Sequence, residues 1–223
     1  MEAHQASSMA TAQSNGSSLA ERVLEAPEHG AGYFFPATAE GTALILGSLA
    51  VVLSLLSVGN AKWIPAAASG IVTPVALSVG AFGLMIGGLW NFRAGSLLGG
   101  SFGVLYGTFW LSFGLLTQIS EAGLIKAAGA IDFGKALGAY LIIWAIVSFG
   151  VAIATWFVNR LLFATQTLLA VVFLVLGFAN TGNSTSLAKL GGYVGIIDAA
   201  LALYLAIALI VNATASRDVV PVR

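Results

Sequence analysis

The sequence predicts an all-α fold: a polytopic membrane protein of six transmembrane helices in one bundle, self-associating through faces of small residues. Three observations carry this. Hydrophobic residues make up 58% of the 223 and charged residues only 8%, where a soluble domain carries about 25% charged residues. The apolar residues fall into six segments, each near the ~20 residues that cross a hydrocarbon core of ~30 Å. Glycines recur at Gly95, Gly99, Gly103 and Gly107, a spacing that on a helix leaves a ridge bare of side chains, where a neighbouring backbone can lie close.

In chain order, residues 1–35 form a polar tail rich in Ser, Ala and Glu, read as partly disordered. It has no basic stretch followed at once by an apolar run, so it is not a signal peptide. Ser18 with Glu21 fits a capping box opening a short helix, SLAERVLEA, suited to a membrane surface. Tyr33 to Pro36 is an aromatic cluster of the kind that favours the headgroup boundary. The six-helix domain occupies 36–213, with spans at about 41–59, 63–90, 95–118, 133–157, 161–178 and 187–211; residues 214–223 are the C-terminal tail.

Glu40 stands at the start of the first span, where a carboxylate complements a helix N-terminus. Pro74 removes a backbone donor within the second span and is expected to bend or break it. The third span holds the glycine ridge. Its Tyr106, Thr108, Trp110 and Ser112 set hydroxyls and an indole deep in the span, where each needs a partner or water. A connector carrying Glu121, Lys126, Asp132 and Lys135 leads to the fourth span, and Val158-Asn159-Arg160 turns it tightly into the fifth. Thr165, Gln166 and Thr167 put a polar band into that fifth span. The sixth carries a second small-residue stripe at Gly191, Gly195, Ala199, Ala202 and Ala206. Short connections argue for one compact bundle.

An even number of spans places both termini on one side. Arg22, Arg93, Arg160, Arg217 and Arg223 share that side, against Lys62, Lys126, Lys135 and Lys189 on the other. The small basic excess points to cytoplasmic termini and a multi-pass protein of the cell (inner or plasma) membrane.

The inventory of reactive groups is thin. The chain has no cysteine, its two histidines, His4 and His29, lie in the tail, and its net charge is zero. A thiolate or histidine metal site inside the membrane and a Ser-His-Asp triad are excluded by composition. No basic patch recommends nucleic acid. No phosphate-cradling loop and no pair of facing carboxylates stands in the sequence. The chain reads as neither an enzyme nor a holder of metal or cofactor, with the lipid bilayer as its first partner.

Two residues carry chemistry. Asp198 is the one acidic residue near the middle of a span. Such a group is either a proton relay for coupled transport or a neutral acid held at a helix contact. Tyr106 can donate to a carboxylate passing a pore, or bond to a neighbouring carbonyl in a solid bundle.

The stretch Phe102 to Ser112, FGVLYGTFWLS, resembles the YG-x-FW-L segment of the acetate uptake transporter family, the succinate–acetate permeases. Ala179-Asn180 at the end of the fifth span, Gly192 to Ile197 and Tyr204 to Ala206 in the sixth, and the ending Arg217, Val219, Pro221 are similar as well, so the resemblance covers roughly 36–223. It implies six-helix protomers assembled as a ring-shaped homohexamer, each with its own path for acetate or related carboxylates, as proton-coupled carriers (symport) or channels. The family's constriction would fall on Tyr106, Leu169 and, in place of an aromatic, Ile45, with Trp110 nearby. The entrance motif is reduced to Pro36 through Thr42, and Asn91 and Leu84 replace an expected Glu and Gln. Asp198 stands where the family has an uncharged residue.

The expected function is a membrane transporter or channel for a small monocarboxylate such as acetate. The alternatives are a non-transporting scaffold or accessory subunit, motivated by the reduced entrance motif, and a pore for another small solute.

Overall fold

The computed structural model describes residues 40–123 and 130–222. The polar tail with its surface helix, the aromatic cluster at Tyr33–Pro36, most of the reduced entrance motif, Lys126 and Arg223 lie outside the described residues.

The described chain is helical: α1 (Thr42–Asn60), α2 (Ala66–Arg93), α3 (Leu97–Glu121), α4 (Ala130–Trp156), α5 (Arg160–Thr181) and α6 (Thr185–Ala215). All six are long and apolar enough to cross a membrane. Each packs on its neighbour in sequence, and α6 returns to α1, so the helices close a ring around a core of their own side chains.

Glycine decides how closely most of these joints approach. A Cβ on Gly103 of α3 would fall 2.6 Å from the Gly88 nitrogen of α2, and one on Gly107 would fall 2.8 Å from the Met85 nitrogen. Such distances exclude any side chain, so the α2 backbone rests directly on the α3 ridge. Gly99 continues this ridge against Asn91. Gly95 does not belong to it. It has φ 81° in the turn before α3, and a Cβ there would meet nothing. The helix instead begins after Ser96, whose hydroxyl accepts the Gly99 N–H at 3.2 Å. The four-residue spacing is thus three ridge positions and one turn glycine that only looks periodic. Equivalent approaches join α4 to α5 at Gly138 and Gly177, α1 to α2 at Gly41 and Gly87, and α1 to α6 at Gly192 against the Ser57 carbonyl. Gly195 faces the Ser57 side chain, and Gly191 faces Leu176 of α5.

The α3–α4 joint differs in kind. Their backbones barely meet, and rings bridge the gap: Phe109 lies 5.7 Å from Tyr140 and 5.2 Å from Trp144 between centroids, and Tyr106 lies 5.9 Å from Trp144. Ser112 Oγ and the Tyr140 hydroxyl add a hydrogen bond of 2.6 Å.

Pro74 changes the pitch of α2 without breaking it. The span opens as a tight 3₁₀ segment (Ala66–Ile71), passes one α turn (Val72–Val75), widens into π geometry (Ala76–Gly83) and returns to α (Leu84–Arg93). Proline lacks the N–H of the ordinary ladder, and a π segment is one way a helix absorbs such an interruption. The Ser78 hydroxyl donates to the Pro74 carbonyl at 2.7 Å.

Glu40 does not cap α1. The residue at the N-cap is Gly41, which has no side chain to cap with. Instead Asn91, fully buried at the end of α2, accepts from the Gly41 N–H at 2.7 Å and donates to Thr42 Oγ1 at 3.1 Å. At the chain's end, Asn212 Oδ1 accepts from the Val219 and Val220 N–H groups at 2.8 Å each, and Asn212 Nδ2 donates to the Val220 carbonyl. The Tyr204 hydroxyl reaches the Pro221 carbonyl at 2.6 Å, and Asn159 Nδ2 donates to the Val222 carbonyl. The tail is therefore strapped back onto the bundle.

Candidate functional site

Midway along α3, Tyr106 points into the ring and is 0% exposed. Phe102, Trp144 and Phe173 surround its ring at centroid distances of 4.5, 5.9 and 6.4 Å. A phenol in so apolar a setting needs a partner for its hydroxyl, and two other helices supply them. The hydroxyl donates to Ser148 Oγ of α4 at 2.8 Å and accepts from Gln166 Nε2 of α5. Gln166 Nε2 donates also to the Ser148 carbonyl at 3.1 Å. Three helices meet in this small polar knot, wrapped by aromatic rings.

Leu169 of α5 and Ile45 of α1 belong to the same buried cluster as Tyr106, at 1% and 2% exposure. Trp110 joins that cluster one turn along α3, and a Cβ on Gly80 in the π segment of α2 would lie 3.0 Å from its Cβ. Its indole N–H has no hydrogen-bond partner among the described residues. The structure thus brings Tyr106, Leu169, Ile45 and Trp110 into one buried cluster inside the ring.

Asp198 lies on the inward face of α6, wholly buried, with neither carboxylate oxygen hydrogen-bonded among the described residues. Gln166 Oε1 is likewise buried without a partner among the described residues, so the polar knot carries an unused acceptor in a region where leaving it bare is costly.

On one side of this cluster lie two cavities, at the end of the bundle where α1, α3 and α5 finish. The larger, about 370 Å³, sits between the end of α1, the start of α4, the end of α5 and the start of α6, with Asn60, Lys62, Leu137, Asn180 and Asn183 on its wall. The smaller, about 240 Å³, sits between α1, α2 and α3, bordered by Thr73, Phe113, Thr117 and Glu121. Asn60 and Lys62 line both.

Sequence reasoning did not find Ser148. A lone hydroxyl in the apolar run LIIWAIVSFG was the available signal, since such a group in mid-span needs a partner. Gln166 stood out as part of a polar band, but not as the donor to Tyr106.

The pattern of the GPR1/FUN34/yaaH family matches residues 29–223. Among curated relatives, the chain is 34% identical over 161 residues to ammonia transport outward protein 2 of Saccharomyces cerevisiae, a match covering 71% of this chain and 57% of that protein. The chain spans little more than half the length of the first fungal relatives it matches. It is 27% identical over 176 residues to the succinate-acetate/proton symporter SatP of Escherichia coli K12, covering 79% of this chain and 89% of that one. Among solved structures, the bacterial acetate channel SatP superposes with a TM-score of 0.77 at 25% identity, covering 83% of this chain and 99% of that chain.

Proposed function

This chain belongs to the GPR1/FUN34/yaaH family, and on that footing we propose that it is a membrane transporter or channel for a small monocarboxylate such as acetate. The observation that carries the reading is the Tyr106 cluster: a closed aromatic and aliphatic waist with hydrogen-bond donors inside it, next to polar cavities. A bare carboxylate is stopped by such a waist, because it would have to leave its water behind. The Tyr106 hydroxyl of α3 and the Gln166 amide of α5 offer two donors that meet inside the ring, matching the two oxygens of a carboxylate. In transit the solute takes the acceptor place that Ser148 Oγ holds in the closed state. Leu169, Ile45 and Trp110 are the apolar wall that must part. Asp198, buried on α6 and unpartnered among the described residues, is the proton relay that lets the solute cross as a neutral pair with its proton.

The protein is assigned to the cell membrane, with both termini cytoplasmic, as a homohexamer of self-contained protomers and without catalytic activity. The test is uptake of labelled acetate by the purified protein in liposomes, with Tyr106→Ala and Leu169→Ala expected to change the flux. No flux above empty liposomes overturns the reading.

One observation favours a second reading. The centre is filled at Tyr106, which suits a scaffold or accessory subunit that kept the helices and lost conduction. The relative named for ammonia transport supports a third, a pore for another small solute, and ammonium in the same liposomes separates it.

A further inference from the structure

α1 and α5 end at the larger cavity in the same unusual way. In α1 the Lys62 N–H bonds to the Gly59 carbonyl at 3.1 Å and the Trp63 N–H to the Val58 carbonyl at 3.0 Å. In α5 the Asn183 N–H bonds to the Asn180 carbonyl at 3.4 Å and the Ser184 N–H to the Ala179 carbonyl at 2.8 Å. This paired closure satisfies the last carbonyls of a helix and puts one residue into left-handed backbone, a place glycine normally takes. Here the residues are Lys62, at φ 63°, and Asn183, at φ 48°. Asparagine adopts such backbone comparatively readily and lysine does not; the same closure ends α6 with Ser216 at φ 53°.

Lys62 and Asn183 both line the cavity of about 370 Å³, joined by Asn60 and Asn180 from the last turns of the same two helices. Asn180 Nδ2 uses one hydrogen on the Leu176 carbonyl at 2.8 Å, which leaves the other for a ligand. Among the described residues of this wall none is acidic, and Lys62 is the one charged group. The neighbouring cavity adds Glu121 to Lys62, so its lining is neutral overall. A cation near a helix C-terminus complements the helix dipole, but a lysine in place of Asn60 or Ala61 would serve that end without left-handed backbone.

We propose that the cavity between the ends of α1 and α5 is a loading site for a small carboxylate anion, in which Lys62 supplies the charge and Asn60, Asn180 and Asn183 supply amide donors. This rests on the conduit reading and deepens it: the site concentrates anions at the mouth and turns away ammonium.

Lysine at a glycine-favoured backbone position makes the test clean, because Lys62→Gly removes the charge while suiting the local φ. Acetate binding to the purified full-length protein is measured by NMR line broadening, beside acetate and ammonium flux in liposomes, for wild type, Lys62→Gly, Lys62→Gln and Lys62→Arg. The expected result is acetate binding weakened about threefold to fivefold in Lys62→Gly and Lys62→Gln, as for one exposed charge pair, and retained in Lys62→Arg. That difference should shrink as salt shortens the screening length from ~30 Å at 0.01 M to ~8 Å at 0.15 M. Apparent KM for acetate should rise with the maximal rate kept. Acetate flux with binding indifferent to Lys62 overturns the site and leaves the conduit standing. Lys62-dependent binding without wild-type flux upholds the site and overturns the conduit. Neither binding nor flux overturns both.

Discussion

The Tyr106 hydroxyl donates to Ser148 Oγ at 2.8 Å, tying α3 to α4 across the one joint where the two backbones barely touch. Gln166 of α5 donates to the same phenol oxygen. One atom therefore holds three helices in register at the waist of the bundle.

Removing that atom alone should loosen the waist. Tyr106→Phe keeps the ring stacking and deletes the hydroxyl, leaving the Ser148 hydroxyl short of a partner. The expected loss is ~1–3 kcal/mol of stability, read by equilibrium unfolding in detergent, together with a reduced acetate flux. Unchanged stability and unchanged flux would place the phenol outside any gate.

Close helix approach separates the glycines into two classes. Gly103→Ala puts a methyl into the Gly88 backbone and should destabilise by ~1–3 kcal/mol through overpacking. Gly150→Ala meets open space and should be neutral or stabilise by up to ~1 kcal/mol through helix propensity. Equal effects in the same unfolding assay would contradict the ridge packing.

Asp198→Asn keeps the shape of the side chain and removes its ability to carry a proton. Under the relay reading, wild-type acetate uptake rises as external pH falls, and the variant shows a flat profile at similar protein stability. A variant with the wild-type slope would reduce Asp198 to a buried packing residue.

Asn212→Ala removes three hydrogen bonds that hold the C-terminal strap. Trypsin should then cut after Arg217 several times faster, followed by mass spectrometry of the intact chain. Global stability should fall by no more than ~1–3 kcal/mol, because the membrane-spanning core is untouched.

Much of the architecture could be read from the residues because in a bilayer apolar length nearly equals helix identity. The six spans and the α2–α3 ridge at Gly99, Gly103 and Gly107 follow from that. Local periodicity misled at Gly95, since spacing alone cannot tell a ridge glycine from a turn glycine with positive φ. Glu40 misled for a related reason: its local sequence suits a cap, but Asn91, 50 residues beyond Gly41, does the capping. The partners of Tyr106 were hidden by the same distance, 42 residues to Ser148 and 60 to Gln166. A residue's chemistry can be read singly. Its companions depend on how the ring closes.

The uneven construction of that ring bears on where the bundle could open. Four of its joints rest on glycine against main chain or a short side chain, and such contacts have no rotatable atoms with which to yield. Between α3 and α4 the filling is a stack of aromatic plates, each able to swing about its own bonds. Any opening between α3 and α4 is therefore expected to run along Tyr106, Phe109, Tyr140 and Trp144, where swinging a ring disturbs no backbone-to-backbone contact.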